Sequence, residues 1–255
     1  MAEPAVAEPA VAEPAVAGGR RTVLVTGFEP FGGDPENASQ AAVEALAARW
    51  TGPARLVTAV LPVSFASSTL ALRGLLAEHR PDLVVAVGEA GRRRAVSIET
   101  RARNLDDARI ADNEGDQPRA VVVDDGPEWL PTRLDVASCV EAVRRTGVLV
   151  AASHDAGTFV CNHVFRVLLT ATEAPAGLVH VPALRSTGRA GVGAETDASA
   201  VAAPASDGSG ASEASAEGSA AVDHDELAAA LLAVVEVGLA RVRAATRPAG
   251  AGPRG

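Results

Sequence analysis

The chain has no lysine and no tyrosine anywhere in its 255 residues. The first absence excludes a Schiff-base amine and a P-loop lysine, the second a phenolic acid or base, so cationic work falls to arginine. Cysteine is nearly absent too: Cys139 and Cys161 are the only two, which reads as free thiols rather than a disulfide framework. Positive charge is in deficit, at a formal net charge of −9, and no arginine stripe carries interleaved aromatics, so nucleic acid is a poor partner. No apolar run approaches the roughly 18 residues that span a bilayer, and no basic segment followed by an apolar one opens the chain. Those absences predict a soluble, cytoplasmic protein without a membrane partner. No group of His, Cys, Asp and Glu has metal-ligand spacing, so neither metal nor cofactor is expected.

Apolar residues make up 47% of the chain, but many are alanines in low-complexity stretches, which shrinks the usable core. Residues 1–20 hold three copies of Ala-Glu-Pro-Ala-Val and read as a disordered tail, because proline recurs too often for a helix. Residues 186–222 are rich in Ala, Ser, Gly, Asp and Glu and read as a flexible low-complexity insertion. Residues 247–255 read as a second disordered tail. Within 223–246, Asp223 and Glu226 have capping-box spacing, and Leu227, Leu231, Val234, Val235 and Leu239 form a helical stripe. That helix is expected to dock on a catalytic domain at 21–185, since alone it would be marginal.

In that domain TVLVT (22–26), DLVVAV (82–87), GVLVAA (147–152) and GLVHV (177–181) are short β-branched runs of the kind seen in strands buried on both faces. A further run, 55–61, precedes Pro62. Helical stretches at 38–49, 67–79, 134–145 and 160–172 separate them. The alternation predicts an α/β fold with a mostly parallel sheet covered by helices on both faces, and a site at the carboxyl ends of its strands.

Cys139 lies on a buried helical stripe and reads as an inert, packed thiol. Cys161 follows a strand and a glycine-containing turn and opens a helix, where unpaired N–H groups and the positive end of the dipole favour an ionised thiol. The competing reading is a core cysteine beside Val164, Phe165 and Leu168. A thiol nucleophile needs a base. Of the five histidines, His79 and His224 sit at peripheral helix ends, His163 points away from Cys161 on a helix, and His154 belongs to a loop. His180, near the end of GLVHV, is the best placed, with a hydrogen-bonded core histidine as its alternative. The acid that would orient it lies among Glu89, Glu99, Asp106, Asp107, Asp112 and Glu114 in the long polar segment 88–118, and spacing does not choose. Phe28 and Phe31 share the turn GFEPFGG after the first strand, and Phe159 lies two residues before Cys161. Three rings beside a thiol suit a small, flat, neutral group. As a phosphate loop GFEPFGG is weak, lacking GxGxxG order.

Four segments, TGFEPFGGDPENAS, GEAGRRRAVSIETRARNLDDARIADNEGDQP, AGTFVCNH and GLVHVPAL, resemble pyroglutamyl peptidase I, the pyrrolidone-carboxylate peptidase family, over about residues 22–184. The resemblance implies a phosphorylase/hydrolase-like α/β fold and a thiol exopeptidase that removes N-terminal pyroglutamate through a Glu99–Cys161–His180 triad, without cofactor. It further implies that Phe28, Phe31 and Phe159 enclose the lactam, that Arg109 stands near the scissile carbonyl, and that Asn37 supports the substrate loop. It leaves a homo-oligomer open. Glu89 replaces the family's usual Gln at the pocket, and a carboxylate accepts a lactam N–H but does not donate. The run GRRR at 91–94 is more basic than the family's usual Gly-Gly-Arg, Thr100 stands where Arg is common, and Val63-Ser64 replaces the commoner Thr-Val. The alternatives are a hydrolase of another cyclic amide and an inactive binding homologue.

Overall fold

The computed structural model describes residues 20–184 and 222–245. The tails and the insertion read from the sequence lie, but for their edge residues, outside the described residues. Eight strands and five helices follow in the order β1 (Thr22–Phe28), α1 (Ala38–Arg49), β2 (Arg55–Leu61), α2 (Phe65–His79), β3 (Leu83–Glu89), β4 (Val96–Glu99), β5 (Arg101–Arg103), β6 (Trp129–Pro131), α3 (Val136–Arg145), β7 (Val150–Ser153), α4 (Val160–Ala171), β8 (Ala176–Val181) and α5 (His224–Ala245). Six strands form one sheet in the order β2-β1-β3-β8-β4-β7. Every pairing in it is parallel except β4 with β8. β5 and β6 form a separate two-stranded ribbon.

Alternation along the central strands divides their side chains between two cores. Val23, Val25, Leu83, Val85 and Val87 pack with α1, α3 and α5 on one face, whereas Leu24, Val84, Ala86 and Leu178 pack with α2 and α4 on the other. Both faces are thus buried, and β1, β3 and β8 are apolar at nearly every position. α1 reaches the sheet closely because β1 has Gly27: a Cβ there would stand 2.7 Å from the Ser39 carbonyl oxygen. α5 begins with a reciprocal cap, Asp223 Oδ1 accepting from Glu226 N (2.8 Å) and Glu226 Oε2 from Asp223 N (3.0 Å).

Two local expectations change. GVLVAA is not buried on both faces: β7 is the sheet's edge, and Leu149, Ala151 and Ala152 are exposed. Hydrophobic pattern marks a strand but does not distinguish an edge from a centre. The polar segment 88–118 contains β4, fully buried and inserted between β8 and β7 against the direction of the former. Four residues were too few for periodicity to register. The rest of that segment is held down by side chains on α2 and α4. Asp112 accepts from Phe65 N, and Glu114 accepts the Ser64 and Ser67 hydroxyls at the start of α2. Asp106 meets His163 Nδ1 on α4 at 2.7 Å. Among the described residues no helix is long and apolar enough to cross a membrane.

Candidate active site

The carboxyl end of β3, the end of β8 and the last residue of β4 converge beneath the start of α4. Register sets this up: Gly88 of β3 is opposite His180 of β8, and Ser97 of β4 is opposite His180 on its other side. Period-two alternation then puts Glu99, two residues past Ser97, on the imidazole's face of the sheet, where α4 also packs. Glu99 Oε1 and His180 Nδ1 are 2.8 Å apart, with both side chains almost wholly buried. Cys161, the second residue of α4, stands beside the same imidazole. The thiol and ring lie directly against the β3 backbone. A Cβ on residue 88 would come within 2.8 Å of Cys161 Sγ and 3.1 Å of His180 Nε2, so only glycine leaves room for the pair.

Burial opposes an imidazolium at His180, but the hydrogen bonds to Cys161 and Glu99 and their charge outweigh it and raise its pKa to about 9. Burial would likewise raise Glu99, yet the hydrogen bond and charge of His180, together with the charge of Arg93, hold it below the ordinary carboxylate value. Cys139 is the contrast: buried behind α3, its thiol is pushed up to about 12. Iodoacetamide on the native protein is therefore expected to modify Cys161 alone, and Cys139 only after denaturation, as read by mass. Labelling of Cys139 in the native state would contradict its packing.

A cleft opens onto the thiol. Phe28, Phe31, Asn37, Glu89, Phe159, Cys161 and His180 all line it. Phe31 and Phe159 lie 5.1 Å apart between centroids, and Phe65 braces Phe159 edge-on at 5.5 Å. Asn37 caps α1, its Oδ1 accepting from Ser39 N while its amide donates to the Glu29 carbonyl. This ties the turn that carries Phe28 and Phe31 to the helix. Glu89 Oε2 accepts Ala38 N at 2.6 Å, taking up another first-turn donor of α1, which favours a carboxylate.

The sequence-derived residues therefore meet in one place, apart from Arg109, which is exposed and lies outside the cleft wall. His163 faces Asp106 and Thr69 instead, and His154 faces Thr100 at the surface. Arg93 was missed: its Nη1 donates to Glu99 Oε1 at 2.5 Å. The only sequence signal was its place in the middle of three arginines, which does not say which one turns inward.

A family model described as pyroglutamyl peptidase matches residues 21–198. The chain belongs to the pyroglutamyl peptidase family. Among relatives named pyrrolidone-carboxylate peptidase, that of Clavibacter michiganensis is 46% identical over 166 residues, covering 63% of this chain and 78% of its own. That of Enterobacter sp. is 41% identical over 179 residues, covering 68% and 84%. The crystal structure of pyroglutamyl peptidase I from Bacillus amyloliquefaciens superposes with a TM-score of 0.70 at 32% identity, covering 86% of this chain and 96% of that one. The pyrrolidone carboxyl peptidase of Thermococcus litoralis gives 0.72 at 27%, covering 92% and 100%. The mostly parallel α/β architecture is that of the family's solved structures.

Proposed function

We propose that this chain is a cysteine exopeptidase that removes N-terminal pyroglutamate from peptides, with Cys161 as nucleophile, His180 as base and then acid, and Glu99 as the orienting carboxylate. The observation that carries the reading is the Glu99 Oε1–His180 Nδ1 hydrogen bond (2.8 Å) with Cys161 Sγ beside the same ring, at the wall of an aromatic cleft. His180 takes the thiol proton, and the thiolate attacks the carbonyl joining pyroglutamate to the next residue. The oxyanion meets backbone N–H groups at the start of α4. Asn37, Ser64 and Asp135 cap α1, α2 and α3 through their side chains, but Phe159 offers α4 none, so its first-turn donors keep no side-chain partner. Arg109 retains the carbonyl role implied by resemblance, which from its exposed position requires the loop to turn inward on substrate. His180 then protonates the leaving amine, and water hydrolyses the thioester. Pyroglutamate has no free α-amino cation, so walls of phenylalanine accept it and reject ordinary N-termini through desolvation. Glu89, at the cleft wall, serves as acceptor for the lactam N–H. Two free cysteines fit a reducing compartment, and we assign the protein to the cytoplasm.

The test is turnover of a pyroglutamyl-amide reporter. Wild type is expected to hydrolyse it, and Cys161→Ser to lose about 10⁴-fold or more in kcat. Activity that survives the substitution would remove Cys161 from the mechanism. A wild type that ignores pyroglutamyl amides but cleaves another lactam would shift the substrate and leave the triad standing.

A further inference from the structure

We infer that Arg93 is a positioning residue for the reaction, acting through Glu99 by fixing its carboxylate toward His180 and locking it to the loop that leads into the nucleophile's helix. The inference rests on the triad proposed above.

Arg92, Arg93 and Arg94 are consecutive in the turn between β3 and β4, yet only the middle side chain is buried, at 9% exposure, while its neighbours are exposed. The turn that directs it inward is closed by Arg93 N donating to the Ala90 carbonyl at 2.9 Å. Its two terminal nitrogens then part: Nη1 donates to Glu99 Oε1 at 2.5 Å and Nη2 to the Asp155 carbonyl at 2.9 Å. Asp155 belongs to the segment between β7 and α4. Its Oδ1 accepts Gly157 N at 2.9 Å, and Gly157 has a φ of +79°, the left-handed turn from which the chain enters α4 and reaches Cys161. One planar, rigid guanidinium therefore sets the distance between the acid and the turn that delivers the nucleophile. A lysine ammonium is a point donor on a flexible stem and does not fix two acceptors in this way.

The charge distribution supports the same role. Glu99 Oε1 receives donors from two sides, His180 of β8 and Arg93 of the β3–β4 turn, with Ser153 of β7 close by. Cys161 of α4 faces His180 from beyond, and Glu89 of β3 lines the same cleft. A buried carboxylate that must remain ionised while its histidine partner gains and loses a proton is stabilised by a second, permanent cation. Arginine provides one, because it does not deprotonate in this range. Loss of that cation leaves Glu99 easier to protonate.

The experiment compares Arg93→Gln, Arg93→Lys, Glu99→Gln and the Arg93→Gln/Glu99→Gln double variant, with Arg92→Gln and Arg94→Gln as controls, after circular dichroism has confirmed folding. Arg93→Gln is expected to lower kcat on the pyroglutamyl-amide reporter about 10–100-fold, the usual range for a residue that orients a reacting one. KM should stay within about threefold, and the acid limb of kcat/KM should move up by about one pH unit. Iodoacetamide alkylation of Cys161 should show the same acid-limb shift without any substrate. That readout separates failure of this inference from failure of the substrate assignment. Arg93→Lys should keep the acid limb in place with about a tenfold loss of kcat, since the charge stays and the fork goes. The double variant should be no worse than Glu99→Gln, and the controls should match wild type. A folded Arg93→Gln with wild-type kcat and acid limb, a loss confined to KM, or additive losses in the double variant would each overturn the inference. If Arg93→Gln does not fold, Arg93→Lys decides it: a lower kcat with the limb in place supports it, and wild-type kcat overturns it.

Discussion

Glu99→Gln is expected to lower kcat about 10³–10⁴-fold while leaving the fold intact, because the amide keeps the side-chain volume but no longer fixes or charges the imidazole. His180 Nδ1 bonds Glu99 Oε1 at 2.8 Å, and that carboxylate is among the causes that raise the imidazole's pKa to about 9 against burial. With a neutral amide there, that support is lost and the value falls. In wild type, activity should decline as pH rises through about 9, where His180 loses the proton it must give to the leaving amine. In Glu99→Gln that alkaline limb should move down by more than one pH unit. A pH profile of kcat/KM for both proteins checks this, and an unmoved limb would show that Glu99 does not set the state of His180. Stability should follow the same linkage. The folded His180 value lies above its unfolded one, so its pairing stabilises fully below pH 6.5 and fades as pH rises through about 9. Glu99 is depressed, so its contribution is present above its unfolded 4.5 and is lost as pH falls through its folded value. Urea melts at pH 6 and pH 9.5 should differ more for wild type than for Glu99→Gln.

Asp124→Ala is expected to cost about 3–5 kcal/mol, because it leaves a buried guanidinium without its counter-ion. Arg166 on α4 is fully buried, and its Nε and Nη2 donate to the two Asp124 oxygens at 2.7 and 2.6 Å. The same carboxylate accepts Gly126 N, and Asn104 donates to the Asp124 and Gly126 carbonyls, so the pair also anchors the segment between β5 and β6. For a folded body of this size the loss corresponds to a fall in Tm of about 10 °C. Asp124→Ala/Arg166→Met should recover much of it, since removing both charges removes the uncompensated one. Thermal melts of the single and double variants decide the matter, and a loss under about 1 kcal/mol in the single variant would mean that water reaches Arg166.

How much was legible in the sequence differs from residue to residue. α1 and β2 occupy the residues that local pattern assigned to them, because apolar pattern is a local signal. β4 was not visible: four residues, VSIE, carry no period, and their burial comes entirely from the neighbours β7 and β8. Cys161 and His180 could be singled out as a thiol at a helix start and a histidine at a strand end. The choice of Glu99 among six carboxylates came from motif resemblance and not from spacing. Their meeting depends on the antiparallel register that sets Ser97 opposite His180, a long-range fact that no local pattern encodes.

The residue order alone narrowed the chemistry: lysine and tyrosine are absent and one thiol opens a helix behind a strand, while motif resemblance supplied the choice of nucleophilic sulfur over a core cysteine. It also determined the helices and central strands, whose signals are periodic and near in sequence. Tertiary structure alone decided which of three adjacent arginines turns inward and why residue 88 has no side chain, and it placed against the imidazole the carboxylate that only motif resemblance had singled out. Those answers depend on distances between segments up to about ninety residues apart, set by sheet register and by the close approach of α4 to β3, and side-chain chemistry read along one strand of text contains neither.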